Sequence, residues 1–86
     1  MAVSVDMQNT GDARLRNEII VALEHMLAQR EGNWQVMIVG SQSNDRWEMK
    51  ITGPRGFERS YTLEGAAGEH RPEAIRALLN KMLPAR

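Results

Sequence analysis

Gly53-Pro54-Arg55-Gly56 sets an arginine between glycines near the middle of the chain. Glycine lets a backbone come close to a phosphate, and a guanidinium matches phosphate oxygens two at a time. The same four residues would also serve as the bend between two strands. Other reactive side chains are sparse. His25 and His70 belong to different segments, and no pair of residues has the spacing of a metal site. His70 follows Glu69, and Ser41, Ser43 and Ser60 are available hydroxyls. No spacing argument brings a nucleophile, a base and an orienting acid together. Gly65-Ala66-Ala67-Gly68 precedes a helix but lacks the lysine and strand context of a phosphate loop. Glu69 and Glu73 would repel an anion there. The sequence therefore predicts no enzyme, no cofactor and no metal.

Composition narrows the field further. Eighty-six residues allow one domain, and the absence of cysteine removes disulfides and thiolate chemistry. The Met-Ala start carries no basic flank before an apolar run, and no stretch nears the roughly 20 apolar residues of a bilayer span. The expectation is a soluble, cytoplasmic protein that does not engage membranes. Formal net charge is zero, which argues against a general nucleic-acid binder. Residues 1–45 hold three basic residues against six acids, whereas residues 46–86 hold eight against five, so positive charge gathers in the second half.

Periodicity supplies the elements that must position these residues. Residues 1–11 show no sustained period and read as a flexible N-terminal arm ahead of a single α+β domain, 12–86. Thr10 or Asp12 can cap a helix over 13–30, whose apolar stripe is Leu15, Ile19, Ala22, Leu23, Met26 and Leu27. Glu31-Gly32-Asn33 stops it. Strands are predicted over 33–40, 46–52 and 57–63. Trp34, Val36 and Ile38 face in on the first, and Trp47, Met49 and Ile51 on the second. Phe57, Tyr61 and Leu63 share the inner face of the third. Pro72 suits the first turn of a last helix, with Ile75, Leu78, Leu79, Met82 and Leu83 as its stripe and Pro84 as its stop. The predicted fold is α+β in the order α-β-β-β-α: a three-stranded antiparallel meander with two helices on one face. Met37, Val39 and Lys50 then lie on the uncovered face, a candidate surface for a protein partner or a weak homodimer.

Register decides how Gly53-Pro54-Arg55-Gly56 is used. A two-residue loop would set Ile51 against Glu58, Met49 against Ser60 and Trp47 against Thr62, placing every core residue opposite a polar one. A three-residue loop, Pro54-Arg55-Gly56, sets Met49 against Tyr61 and Trp47 against Leu63 instead. That loop is a type I turn followed by a residue at positive φ, with Pro54 at the second position and Gly56 as the left-handed residue. It leaves Arg59 on the inward face beside Ile51. Either the hairpin end overhangs the core and Arg59 reaches water, or a cation is placed there for use. The same reasoning pairs Ile38 with Trp47 and Val36 with Met49, leaving Ser41-Gln42-Ser43-Asn44 as a loop.

The α-β-β-β-α order over 13–83 resembles the double-stranded-RNA-binding domain. That family reads RNA with lysines at the start of the last helix and with a glycine-proline-histidine loop after the first strand. Here Glu69-His70-Arg71-Pro72-Glu73 and Ser41-Gln42-Ser43-Asn44 stand at those places. The resemblance implies Arg55, Arg59, His70, Arg71 and Lys81 as RNA-binding candidates. Trp34 to Gly40-Ser41 and Ile75-Arg76 to Leu79 are similar to HicA-type toxins of the same fold. The histidine those toxins require after glycine-serine is Gln42 in this chain. The leading expectation is a small non-enzymatic binding or interaction module. The alternatives are a double-stranded RNA binder and, last, an RNA-cleaving enzyme.

Overall fold

Val3, Val5 and Met7 alternate with Ser4, Asp6 and Gln8, and the folded chain uses that alternation as a strand. The computed structural model describes residues 2–11, 13–41 and 44–83. Its elements run β1 (Ala2–Gln8), α1 (Ala13–Ala28), β2 (Asn33–Gly40), β3 (Arg46–Thr52), β4 (Glu58–Glu64) and α2 (Pro72–Met82). The sheet order is β1-β2-β3-β4, with β1 parallel to β2 and the other pairs antiparallel.

The three-stranded antiparallel meander is thus corrected to a four-stranded mixed sheet, and residues 2–8 of the expected arm are its first strand. The physical reason is the open edge of β2. In a meander that edge would leave a row of backbone donors and acceptors unpaired. β1 fills it, setting Val3 beside Trp34, Val5 beside Val36 and Met7 beside Ile38. A parallel pair needs a long crossover, and α1 supplies it.

The core lies between the inner sheet face and the helices. Ile19, Leu23 and Leu27 of α1, and Ile75, Leu79 and Leu83 at and just beyond α2, meet Trp34, Val36, Ile38, Trp47, Met49, Ile51 and Leu63. These belong to the predicted stripes and strand faces, joined by Met7 from β1. Tyr61, however, expected on the inner face of the last strand, is 37% exposed and turns its hydroxyl to Glu69, and Phe57 precedes that strand half-buried. Val21, on the far side of α1, is 64% exposed. At ~1.5–3 kcal/mol for each large apolar side chain fully buried, this cluster supplies most of the gross driving force for folding. Asp12 as helix cap, Gln42 at the toxin histidine position and Pro84 as helix stop lie outside the described residues.

The β2–β3 register is corrected by two residues. Ile38 faces Met49, Val36 faces Ile51, and Trp47 faces Gly40. A two-residue shift keeps every side chain on its expected face. It also sets the large indole of Trp47 opposite a residue with no side chain instead of opposite the branched Ile38. A Cβ at Gly40 would run into the carbonyl of Asn9 and the Trp47 ring. The β3–β4 register is the predicted one, with Trp47 facing Leu63, Met49 facing Tyr61 and Ile51 facing Arg59. No helix among the described residues is long and apolar enough to cross a membrane.

Candidate functional site

The hairpin end is built by its turn. The Gly53 amide donates to the Phe57 carbonyl at 2.9 Å, and the Phe57 amide donates to the Pro54 carbonyl at 3.2 Å. Gly56 is left-handed at φ 75°, as the three-residue loop requires, but Arg55 is left-handed too, at φ 61° and ψ 33°. The expected type I turn therefore gives way to a turn over Pro54 to Phe57 whose two central residues both have positive φ. That is the hand of the type I′ turn, whose twist matches antiparallel strands. Holding a non-glycine residue there costs about 1–2 kcal/mol. Arg55 is thereby fixed at the exposed tip.

Behind the tip, aromatic rings form a floor. Phe57 meets Trp34 edge to face, with ring centroids 5.5 Å apart. The Trp34 Nε1–H donates to the Glu31 carbonyl at 3.0 Å, tying the floor to the chain just beyond α1. Gly53 permits this packing, because a Cβ there would sit 2.5 Å from the Trp34 ring. The guanidinium of Arg59 lies over the Phe57 ring, 5.2 Å from its centroid, and its Nη1 donates to the Glu58 carbonyl at 3.0 Å. Arg59 does pair with Ile51 on the inward side of the ladder, yet it is exposed, so its side chain passes the edge of the core and reaches water. An open cleft of about 950 Å³ lies between this hairpin end and residues 29–32 just beyond α1, which meet where Gly32 packs against Pro54. Arg30 and Glu31 stand on its far wall.

The opposite end of the β3–β4 ladder is closed on itself. His70 stacks on Trp47, with centroids 3.8 Å apart and planes 8° from parallel. Its Nε2 lies 3.0 Å from the Leu63 carbonyl, which can only accept, so that nitrogen carries the proton. Glu69 accepts from the Tyr61 hydroxyl at 3.2 Å and from the Glu64 amide at 3.0 Å. The hydrogen bond to Glu69, reinforced by that carboxylate's charge, raises the Tyr61 hydroxyl above its ordinary value of 10.0.

The five RNA-binding candidates are therefore not brought together. Arg55 and Arg59 share the hairpin end. His70 and Arg71 lie beyond the other end of β4, some 20 Å away along a seven-residue strand. Lys81 is in the last turn of α2, about 15 Å along the helix from Arg71. His70 is further occupied by Trp47 and Leu63. Ser60 faces Lys50 on the outer side of the sheet, whereas His70 stacks on an inward residue. That hydroxyl and that imidazole are on opposite faces. No three His, Asp or Glu side chains among the described residues gather as a metal site would require.

On the outer face Met37 lies between Asp6 of β1 and Lys50 of β3. Lys50 is taken up by Glu58 at 3.2 Å. Arg46 pairs with Glu64 at 3.3 Å, and the Thr62 hydroxyl donates to Glu48 at 3.2 Å. The apolar part of this face is small, Met37 at 38% exposure with the half-buried Val39. Sequence reasoning passed over the far wall of the cleft, residues 29–32. Its one signal was the Glu31-Gly32-Asn33 helix stop, which says where a helix ends and nothing about what faces it.

No family model and no curated protein matches the chain. Among solved structures, the crystal structure of the Thermus thermophilus Protein Y N-terminal domain is similar, with a TM-score of 0.52 and 13% identity over 96% of this chain and 100% of that one. At that identity the likeness shows the fold alone, a small arrangement of helices and sheet. The α-β-β-β-α order behind the resemblance to double-stranded-RNA-binding domains is preceded in this chain by a paired strand.

Proposed function

We propose that this chain is a small non-enzymatic binding domain that takes the phosphate backbone of RNA at the hairpin end, through Arg55 and Arg59. One observation carries the reading. Arg55 and Arg59 line one cleft, and among the described residues neither makes an ion pair. Two exposed guanidinium groups at one end suit phosphate oxygens, which they bind in a fork. His70 does not join them, because it is engaged within the fold.

Titration of a labelled RNA tests this. Two phosphate contacts on a single strand predict a slope of roughly −1.4 in log affinity against log salt. The double substitution Arg55→Glu with Arg59→Glu should abolish binding. Absence of binding at low salt, or binding indifferent to that double reversal, rejects the proposal.

A second reading puts a protein partner or a second copy of the chain on the outer sheet face. The exposed Met37 beside Val39 favours it. Light scattering at high concentration tests the homodimer form: self-association lost in Met37→Lys supports it, and a strict monomer removes it.

A further inference from the structure

Resting on the phosphate-binding reading above, we infer that the cleft holds one unpaired base of a single-stranded RNA, stacked on the guanidinium of Arg59 with Phe57 behind it. Arg59 lies over the Phe57 ring, and Phe57 is held edge-on by Trp34. A guanidinium plane backed by a ring is a platform of the kind that single-stranded RNA bases stack on.

The wall facing this platform offers a second phosphate no net charge: Arg30 and Glu31 both stand on it, and the carboxyl end of α1 carries partial negative charge. An uncharged base tolerates both, while its own phosphates stay at the rim with Arg55. The cleft, at about 950 Å³, has the size of a small-molecule site. A duplex presents its bases only as edges and cannot lay one flat inside it. The separation of Arg55 and Arg59 from Arg71 also leaves no continuous basic track for two successive grooves of a duplex.

Three ligands test the inference on the intact chain at low salt: an RNA decamer with central 2-aminopurine, the same decamer annealed to its complement, and an abasic sugar-phosphate decamer. The single strand should bind at least about fivefold tighter than either of the others. Its fluorescence should fall on binding as the base stacks. Arg59→Lys keeps the charge and loses the plane, so it should weaken the single strand more than the abasic decamer and erase that margin. Phe57→Leu should do the same from behind the guanidinium. Equal affinity for all three ligands, with binding still lost on Arg55→Glu with Arg59→Glu, overturns the base site and leaves the phosphate reading standing. No binding to any of the three overturns both.

Discussion

The two ends of the β3–β4 hairpin are made of similar parts put to opposite use. Each has a tryptophan on the inner face, a second ring against it and a charged side chain close by. At the far end the parts satisfy one another: His70 stacks on Trp47 and bonds to Leu63, and Glu69 takes both the Tyr61 hydroxyl and the Glu64 amide. At the turn end Phe57 packs on Trp34, but Arg55 and Arg59 find no carboxylate among the described residues, and the backbone of Arg55 is held in a costly conformation. Strain and unpaired charge that persist on a small fold point to use, whereas saturated hydrogen bonds point to architecture.

Substitutions can break or sharpen this contrast. The largest effect belongs to the closed end. Trp47→Ala should lower stability by about 3–5 kcal/mol in urea unfolding, since it empties a buried site and strips His70 of its stacking partner. Phe57→Ala at the open end, where the ring is only half-buried, should cost about 1–2 kcal/mol. Equal losses would erase the distinction between the ends. His70→Ala should cost about 1–2 kcal/mol through a lost hydrogen bond and ring contact, and should leave RNA affinity unchanged. A fall in affinity there would return His70 to the binding surface.

Smaller effects probe the turn. Gly56→Ala forces a Cβ into the left-handed region and should cost about 1 kcal/mol. Arg55→Gly should stabilise the fold by about 0.5 kcal/mol, relief of strain outweighing glycine's added entropy cost, while weakening RNA binding. A variant that gains stability and loses binding would identify the strain as functional. The smallest effect is at Tyr61. Its hydroxyl should titrate above pH 10.0 by absorbance, and Glu69→Gln should bring the midpoint down by removing the carboxylate charge. A folded-state value above the unfolded one means that the contribution is in place below about pH 10 and is lost as pH rises through the folded value. A midpoint unmoved by Glu69→Gln would show that the far end is not closed by this contact.

Much of this could be read along the chain. The stripe of Ile19, Leu23 and Leu27, the inward faces of β2 and β3 and the β3–β4 register follow from periodicity and from one rule, that a core residue does not face a polar one. Those rules act over a few residues. Features set over longer distances left no such local trace. Val3, Val5 and Met7 do alternate, but no local cue says that this alternation is paired, because its partner begins at Asn33. The two-residue shift between β2 and β3 was invisible to an argument from faces, which any even shift preserves. Steric room at Gly40 for Trp47 decided it.

The candidate site divides along the same line. That Arg55 sits at a hairpin tip, that Gly56 must be left-handed and that Arg59 is out of place on its strand are properties of sequence, because turn sterics and strand alternation are local. That Arg59 lies over Phe57, that residues 29–32 face it across a cleft and that His70 is already engaged by Trp47 are properties of the tertiary structure. They depend on where the end of α1 and the segment before α2 come to rest against the hairpin. Burial of the shared core sets those positions, and no single segment can bury it alone.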